Sequence, residues 1–249
     1  MARVLITGGS GTLGRWLQRA PALERHEVRA PPRSELDVAD RASVERWFEL
    51  HEPELVIHAA ALIRSRGVDS AEDKAAMSRV NVMGTGHVAR ACTRHAARLV
   101  YVSTDFVFDG ERPGGMYRED DVPAPLGYYP LTKLAGEALL PSDALVVRTS
   151  FGEDGAWPYP RAFVDRFTSK LPASLAAAEI ALAACALELS GVLHLGGERL
   201  SYFEYARRVR PDVAPLSLAE YRGAEPVPVD TSLDSGRWRR ERSRRYPDG

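Results

Sequence analysis

Only two cysteines occur in 249 residues, too few for a disulfide framework. Cys92 and Cys185 sit in helical-looking segments and read as small apolar residues of a reducing compartment. No stretch approaches the ~20 apolar residues of a membrane span. No charged-then-apolar leader precedes the first strand, so no signal peptide is expected and the cytoplasm is the default location. Charge of one sign is not in excess either. The formal net charge is −1, which gives no global field to draw nucleic acid or an anionic membrane. Internal repeats and low-complexity tracts are absent, and no metal site is expected. What remains is 45% hydrophobic and 27% charged, ordinary for a globule. The length suits one α/β domain, or a large domain with a small annex.

The chain opens on a strand, Arg3 to Thr7, and runs into Gly8-Gly9-Ser10-Gly11-Thr12-Leu13-Gly14. A helix is expected from about Arg15 to Ala20. A glycine-rich turn with a strand before and a helix after is the context that makes a dinucleotide site. Gly8 allows the tight turn, Gly11 lets a diphosphate approach the backbone, and Gly14 lets helix and strand pack closely. The helix N-terminus adds N–H groups and a positive dipole. After a second strand, Glu27 to Ala30, an NAD-type site would carry a carboxylate. Ala30-Pro31-Pro32-Arg33-Ser34 stands there instead. Arg29 and Arg33 could pair with a 2′-phosphate, so NADP(H) is the expected cofactor, with NAD(H) as second choice; solvated surface is the plainer reading of both arginines.

Asp40 caps an expected helix, Arg41 to Leu50, with an apolar stripe of Val44, Trp47 and Phe48. Leu55 to Ala61 reads as a buried strand whose small residues Ala59, Ala60 and Ala61 leave room for a cofactor to cross. His58 within it reads as a satisfied core histidine. Ile63 to Asp73 reads as a loop over the site, and a long helix should follow from about Ala75 to His95. Repeating strand–helix units make a doubly wound parallel sheet of the Rossmann type.

Arg98 to Val102 is the next buried strand. It leads into Ser103-Thr104-Asp105-Phe106-Val107-Phe108-Asp109-Gly110, so hydroxyls and a carboxylate stand at its carboxyl end, where open parallel sheets bind ligands. Tyr129 and Lys133 are four residues apart and share a helix face, with Pro130 suited to the first turn. A phenol beside an ammonium should have its pKa pulled below its usual ~10. That is equipment for protonating an oxygen. Leu145 to Thr149 is a further buried strand. Beyond it come an aromatic, proline-rich turn (Ala156 to Pro160), a helix from Ser174 to Leu189, and a short strand at Val192 to Leu195. A capping box at Ser201 and Glu204 then opens a helix to about Val209. From Arg237 onward six arginines face Glu241 and Asp248. Such a run reads as a solvated, frayed end, with contact to a substrate phosphate or a partner as the alternative.

Together these motifs, with Asn81, resemble the extended short-chain dehydrogenase/reductase superfamily. Glu35-Leu36-Asp37-Val38, Ser103 to Gly110, Tyr129 to Glu137 and Asp230-Thr231-Ser232-Leu233-Asp234 more narrowly resemble the dTDP-4-dehydrorhamnose reductase family. The resemblance covers most of the first 150 residues and returns near 230. It implies that Thr104 hydrogen-bonds a substrate carbonyl, that Tyr129 protonates it, and that Lys133 holds the nicotinamide ribose. It implies Gly8, Gly11, Thr12, Leu13 and Gly14 at the diphosphate, Arg33, Asp37 and Val38 near the adenosine end, and Ala59, Ala60 and Ala61 along the cofactor. Ser103, Thr104, Asp105 and Phe106 would meet the substrate, with Asn81 supporting the site. The expected architecture is a dinucleotide-binding domain over 1–152 and a small, shortened substrate region over 153–249, free to thread back onto the first.

The implied activity is NADPH-dependent hydride transfer to a keto group of a sugar nucleotide. Two alternatives stay open. One is a non-catalytic NADP-binding subunit, since the resemblance extends to the regulatory subunit of methionine adenosyltransferase. The other is a sugar-nucleotide epimerase or dehydratase. A homodimer is compatible with all three. The departures from the family lie on the substrate side. The chain is short, with the loss read between Phe167 and Ser174, where Thr168 to Pro172 barely makes a connection. Pro226-Val227-Pro228-Val229 lacks the family's arginine, and the Ile63 to Asp73 loop lacks its acidic run.

Overall fold

A computed structural model describes residues 1–63, 70–223 and 227–247. Most of the loop expected over the site, and Pro226, lie outside the described residues. Six strands form the central sheet: β1 (Arg3–Thr7), β2 (Glu27–Arg29), β3 (Leu55–His58), β4 (Arg98–Thr104), β5 (Leu145–Thr149) and β6 (Gly191–Leu195). Their order is β2-β1-β3-β4-β5-β6, all parallel. The sixth strand therefore comes from beyond residue 152 and completes the sheet of the first domain.

Side chains alternate across a strand, and the two faces bury different helices. Val4, Ile6, Leu55, Ile57, Val100, Val102, Leu145 and Val147 face α1 (Thr12–Leu17) and α6 (Ala173–Cys185). Leu5, Val56 and Leu99 face α2 (Arg41–His51) and α4 (Gly84–His95). Asp40 does cap α2, accepting from the Ala42 N–H at 2.9 Å. The first helix begins three residues earlier than expected, at Thr12, so it springs directly from the glycine turn. The long helical run begins at Ala71 rather than Ala75. It comprises α3 (Ala71–Met77), a π-helical turn over Ser78–Met83, and α4.

Chain order reverses between β1 and β3, which puts a crevice at the carboxyl ends of those two strands. The register deepens it. His58, the last residue of β3, pairs with Tyr101, so β4 runs three residues further and carries Ser103 and Thr104 above the end of its neighbour. Thr104 in turn pairs with Thr149 of β5. The helix α5 (Tyr128–Glu137) follows from a loop after β4.

The segment Phe167–Thr168 pairs with Leu200–Ser201, and Leu171–Pro172 pairs with Phe151–Gly152. The stretch read as a bare connection is thus pinned twice to distant chain. The capping box at Ser201 and Glu204 is present and opens α7 (Tyr202–Arg207), two residues shorter than expected. The arginine-rich tail is not frayed over residues 236–245. It forms α8 (Gly236–Arg245), docked on α6 and β6. Trp238 is buried in the core, and its Nε1 donates to Glu179 at 2.6 Å. Arg237 donates to the carbonyls of Val192 and Ser190, and Arg242 pairs with Glu179 at 3.2 Å. The reading missed this because the partners lie some 50 residues away in sequence. Trp238→Ala is expected to cost ~3 kcal/mol of stability through the cavity left behind. Denaturant unfolding measures it, and a loss within experimental error would mean the helix is not part of the folded core.

Candidate functional site

At the mouth of β1, Gly8 has φ +73° and packs so closely on Ala60 that an added Cβ would lie 2.8 Å from its backbone. A Cβ at Gly14 would stand 2.2 Å from the Gly8 carbonyl oxygen, so the helix can start this near the strand only with glycine there. Gly11 differs: the nearest atom to a Cβ on it is the Gly8 oxygen at 3.2 Å, and its outer side is open. The helix holds the turn in place. Arg15 donates to the Ser10 carbonyl at 2.9 Å, and Gln18 donates to those of Gly9 and Gly14 at 2.9 and 3.0 Å. A cradle closed on its inner side and open at Gly11, at the N-terminus of a helix, fits a dinucleotide diphosphate. Thr12 donates to Glu153 at 3.2 Å, and Leu13 is buried beneath the turn.

Along the expected cofactor track, Ala59 and Ala60 are half-buried and Ala61 is exposed. Asp37 accepts from the Ala39 N–H at 3.0 Å, and Val38 is buried against Gly84. Arg33 pairs with Asp37 at 3.0 Å and Arg29 with Glu27 at 2.8 Å. Both pairs are solvent-exposed and worth little, so either arginine can exchange its carboxylate for a phosphate at small cost. His58 is a satisfied core residue, held by Thr7 at 2.6 Å and Thr85 at 3.1 Å. Burial lowers its pKa to about 3, so it stays neutral.

On β4, alternate residues serve different tasks. Ser103 was expected at the substrate, but its hydroxyl donates to Glu137 at 2.5 Å, on the α5 side of the strand. Its side chain is therefore spent within the core. Thr104 donates to Asp105 at 3.2 Å and accepts from the Phe106 N–H at 3.2 Å. Asp105 is 1% exposed, and its second oxygen accepts from Thr231 at 2.7 Å. Burial raises the Asp105 pKa, opposed by hydrogen bonds from Thr231, Thr104 and Ser150 and by the charge of Lys170. Phe106 is half-buried beside it.

Tyr129, Lys133 and Glu137 lie at i, i+4 and i+8 of α5, on one face. The Lys133 ammonium sits 4.0 Å from the Tyr101 ring centroid. Burial lowers its pKa to about 7, with Glu137 opposing. The Tyr129 phenol is raised, not lowered, by burial first and by Asp105 second. This corrects the expectation of an acidified phenol: the desolvation of the ring outweighs an ammonium that lies over a different aromatic. Glu137 is itself clamped by the Arg148 guanidinium at 2.8 and 3.1 Å, both side chains nearly inaccessible.

Asn81 lies in the π-helical turn, a distortion frequent at functional sites. It is fully buried. Its Oδ1 accepts from the Leu62 N–H at 2.7 Å, and its Nδ2 donates to the Leu62 carbonyl at 2.9 Å and to Thr132 at 2.9 Å. Thr132 donates in turn to the Tyr129 carbonyl at 2.6 Å. Asn81 thus ties the chain leaving β3 to the first turn of α5. Thr132, Glu137, Arg148 and Thr231 were not picked out as individual positions. Only Glu137 carried a usable signal, its helical spacing from Tyr129. Among the described residues no cluster of side chains could hold a metal ion.

Lys133 predicts a pH dependence of stability. Above about 7 the folded chain has released a proton that the unfolded chain keeps to ~10.4. The unfolded state binds more protons in that window, so stability rises with pH across it. Relative to Lys133→Met, the cofactor-free wild type should gain ~3 kcal/mol between about pH 6.5 and 9.5. Urea unfolding checks this; an equal gap at both pH values would contradict it.

The sequence matches a family described as "RmlD substrate binding domain" over residues 2–173. A dTDP-4-dehydrorhamnose reductase of Mycobacterium tuberculosis is 35% identical over 266 residues, covering 95% of this chain and 86% of that protein. The crystal structure of a hypothetical dTDP-4-dehydrorhamnose reductase from Sulfolobus tokodaii superposes with TM-score 0.82 at 34% identity, covering 96% of this chain and 94% of the other. That of the Bacillus anthracis dTDP-4-dehydrorhamnose reductase in complex with NADP gives TM-score 0.86 at 27% identity, with coverages of 96% and 92%.

Proposed function

Because the chain belongs to the RmlD substrate binding domain family, within the extended short-chain dehydrogenase/reductases, we propose that it is an NADPH-dependent reductase of a keto sugar nucleotide. The observation that supports the reading is that α5 packs on β4 with Tyr129 near enough to feel the charge of Asp105, two strands from the glycine turn of β1. Tyr129 and Lys133 come from the inner face of α5, Thr104 from the overshooting end of β4, and an open glycine turn from β1. A relative of the same fold is named as binding NADP, and the relatives named as reductases act on dTDP-linked keto sugars.

NADPH, when bound, supplies the hydride. The chain's residues do the rest. Gly8, Gly11 and Gly14 receive the diphosphate, with Thr12 and Leu13 in the first turn of the helix. Arg33 takes the 2′-phosphate, with Asp37 and Val38 beside the adenosine and Ala59, Ala60 and Ala61 leaving the track clear. Tyr129, protonated throughout the neutral range because its pKa is raised, donates its O–H to the carbonyl oxygen as negative charge develops there. Thr104 holds the same oxygen. Its present bond to Asp105 is long, at 3.2 Å, so the proton can turn to a substrate at little cost. Lys133 provides a positive charge on the Tyr129 side of the crevice, and Asp105 and Phe106 meet the sugar. Asn81 is a positioning residue that fixes Tyr129 through Thr132.

Tyr129→Phe is expected to lower kcat by about 10²-fold or more while NADPH affinity is retained. Steady-state turnover with a panel of dTDP-4-keto sugars, beside a fluorescence titration of NADPH, measures both. Turnover by the variant at the wild-type rate would remove Tyr129 from the reaction. Wild-type protein that binds NADPH tightly but reduces none of the panel would defeat the reading as a whole. Arg33→Ala should weaken NADPH by about tenfold and leave NADH unchanged. Equal losses for the two cofactors would take Arg33 off the 2′-phosphate.

A further inference from the structure

Beyond β5 the chain runs through Ser150 to Phe151–Gly152, and the stem of Lys170 lies against it. A Cβ on Gly152 would be 3.5 Å from Lys170 Cδ. The ammonium looks onto the rings of Tyr202 and Tyr205, at 5.4 and 6.0 Å from their centroids. Among the described residues it makes no hydrogen bond or ion pair; only its backbone N–H bonds, to Thr168. The Arg166 guanidinium lies 4.8 Å from the centroid of the same Tyr202 ring. Its Nε donates to the Pro228 carbonyl at 2.8 Å, and Arg166 is 8% exposed. The Tyr202 hydroxyl is buried with Thr168 close by, yet finds no hydrogen bond of good geometry.

The charges in this place do not balance. Burial depresses the Lys170 pKa, and the neighbouring Arg166 pushes it the same way. The carboxylate that opposes them is Asp105, whose oxygens already accept from Thr104 and Thr231. The other acidic group nearby, Asp230, is paired with Arg199 at 2.7 Å. Two cations and an unpartnered phenol therefore stand near Asp105, and among the described residues neither cation is in an ion pair. An ammonium is a point charge with three rotatable donors and suits a phosphate oxygen, and a buried guanidinium strengthens it through a low local dielectric.

We propose that Lys170, Arg166 and Tyr202 form an anion subsite that takes the diphosphate of the nucleotide sugar. It rests on the reductase reading above and gives that reading its substrate end.

Calorimetric titration of the NADPH-loaded protein with thymidine 5′-diphosphate, inorganic diphosphate and thymidine tests the subsite. Lys170→Gln should weaken thymidine diphosphate and inorganic diphosphate at least tenfold, leave thymidine and NADPH unchanged, and be partly rescued by Lys170→Arg. Unchanged diphosphate affinity overturns the proposal, as does an equal loss for thymidine, which would mark a merely structural lysine. Should Lys170→Gln also lose NADPH, the wild type decides: thymidine diphosphate binding no tighter than thymidine overturns the subsite, and tighter binding supports it. The two readings separate cleanly. A wild type that reduces keto sugar nucleotides while Lys170→Gln binds diphosphate normally loses only the subsite. A wild type that reduces none, but whose diphosphate affinity depends on Lys170, loses only the reductase reading.

Discussion

Asp105 is a carboxylate with almost no access to water, and the shape of the crevice follows from how its two oxygens are satisfied. One accepts from Thr104, the last residue of β4; the other accepts from Thr231, 126 positions further along the chain. Thr231 holds the closer of the two bonds, 2.7 Å against 3.2 Å for Thr104, and a buried acid that lost it would carry a cost of desolvation. The C-terminal segment is therefore obliged to return to the carboxyl end of the sheet. The same return brings Asp230 onto Arg199, and Ser232 onto Asp230 at 2.6 Å. It also sets Leu233 beside Tyr117 in a bridge. The returning segment closes a small hydrophobic cluster of Val107, Phe108, Tyr117 and Leu233 beside this carboxylate, and a second one, Ala162, Ala206 and Val213, lies further out.

This arrangement explains which parts of the site were legible in the sequence. The glycine turn, the strand ending in Thr104, and the Tyr129–Lys133 spacing are local patterns, and local patterns carry their geometry with them. The β-sheet order and the layers of helices follow from the same periodicity. That Ser103 turns its hydroxyl to Glu137 was not legible, because strand alternation gives opposite faces to neighbours and the sequence does not say which face Glu137 occupies. Lys170, Arg148 and Thr231 matter through Tyr202, Glu137 and Asp105, partners too distant in sequence for a helix or strand spacing rule to reach. The tail failed for a related reason. Its arginines look solvated when counted alone, but Glu179 on α6, the Val192 carbonyl on β6, and Glu188 and the Ser190 carbonyl between them accept from the guanidiniums.

Electrostatics inside the crevice run against the simplest account of a phenol made acidic by its lysine. Lys133 is deeply buried and binds its proton less tightly than usual, while Tyr129 binds its own more tightly. The proton donor proposed for the reduction, which must be protonated at neutral pH, is well served by the second shift. The first makes the ammonium a charge of adjustable weight. Glu137 tends to keep it, and Glu137 is in turn committed to Arg148 and Ser103. The charge on Lys133 therefore depends on β4, β5 and α5 together, which are the elements that also set the position of Thr104.

A further constraint links stability to this chemistry. α6 is alanine-rich, almost uniformly apolar and buried along most of its length, so it cannot stand without cover on its outer side. α8 provides that cover with Trp238 and with guanidiniums aimed at Glu179 and Glu188. α6 also shares the core beneath α1, the helix whose N-terminus forms the glycine cradle. Removing the tail would loosen α6, and α6 holds α1 against the sheet. The geometry at Gly11 thus rests, through two layers of packing, on a helix that composition alone would have assigned to solvent.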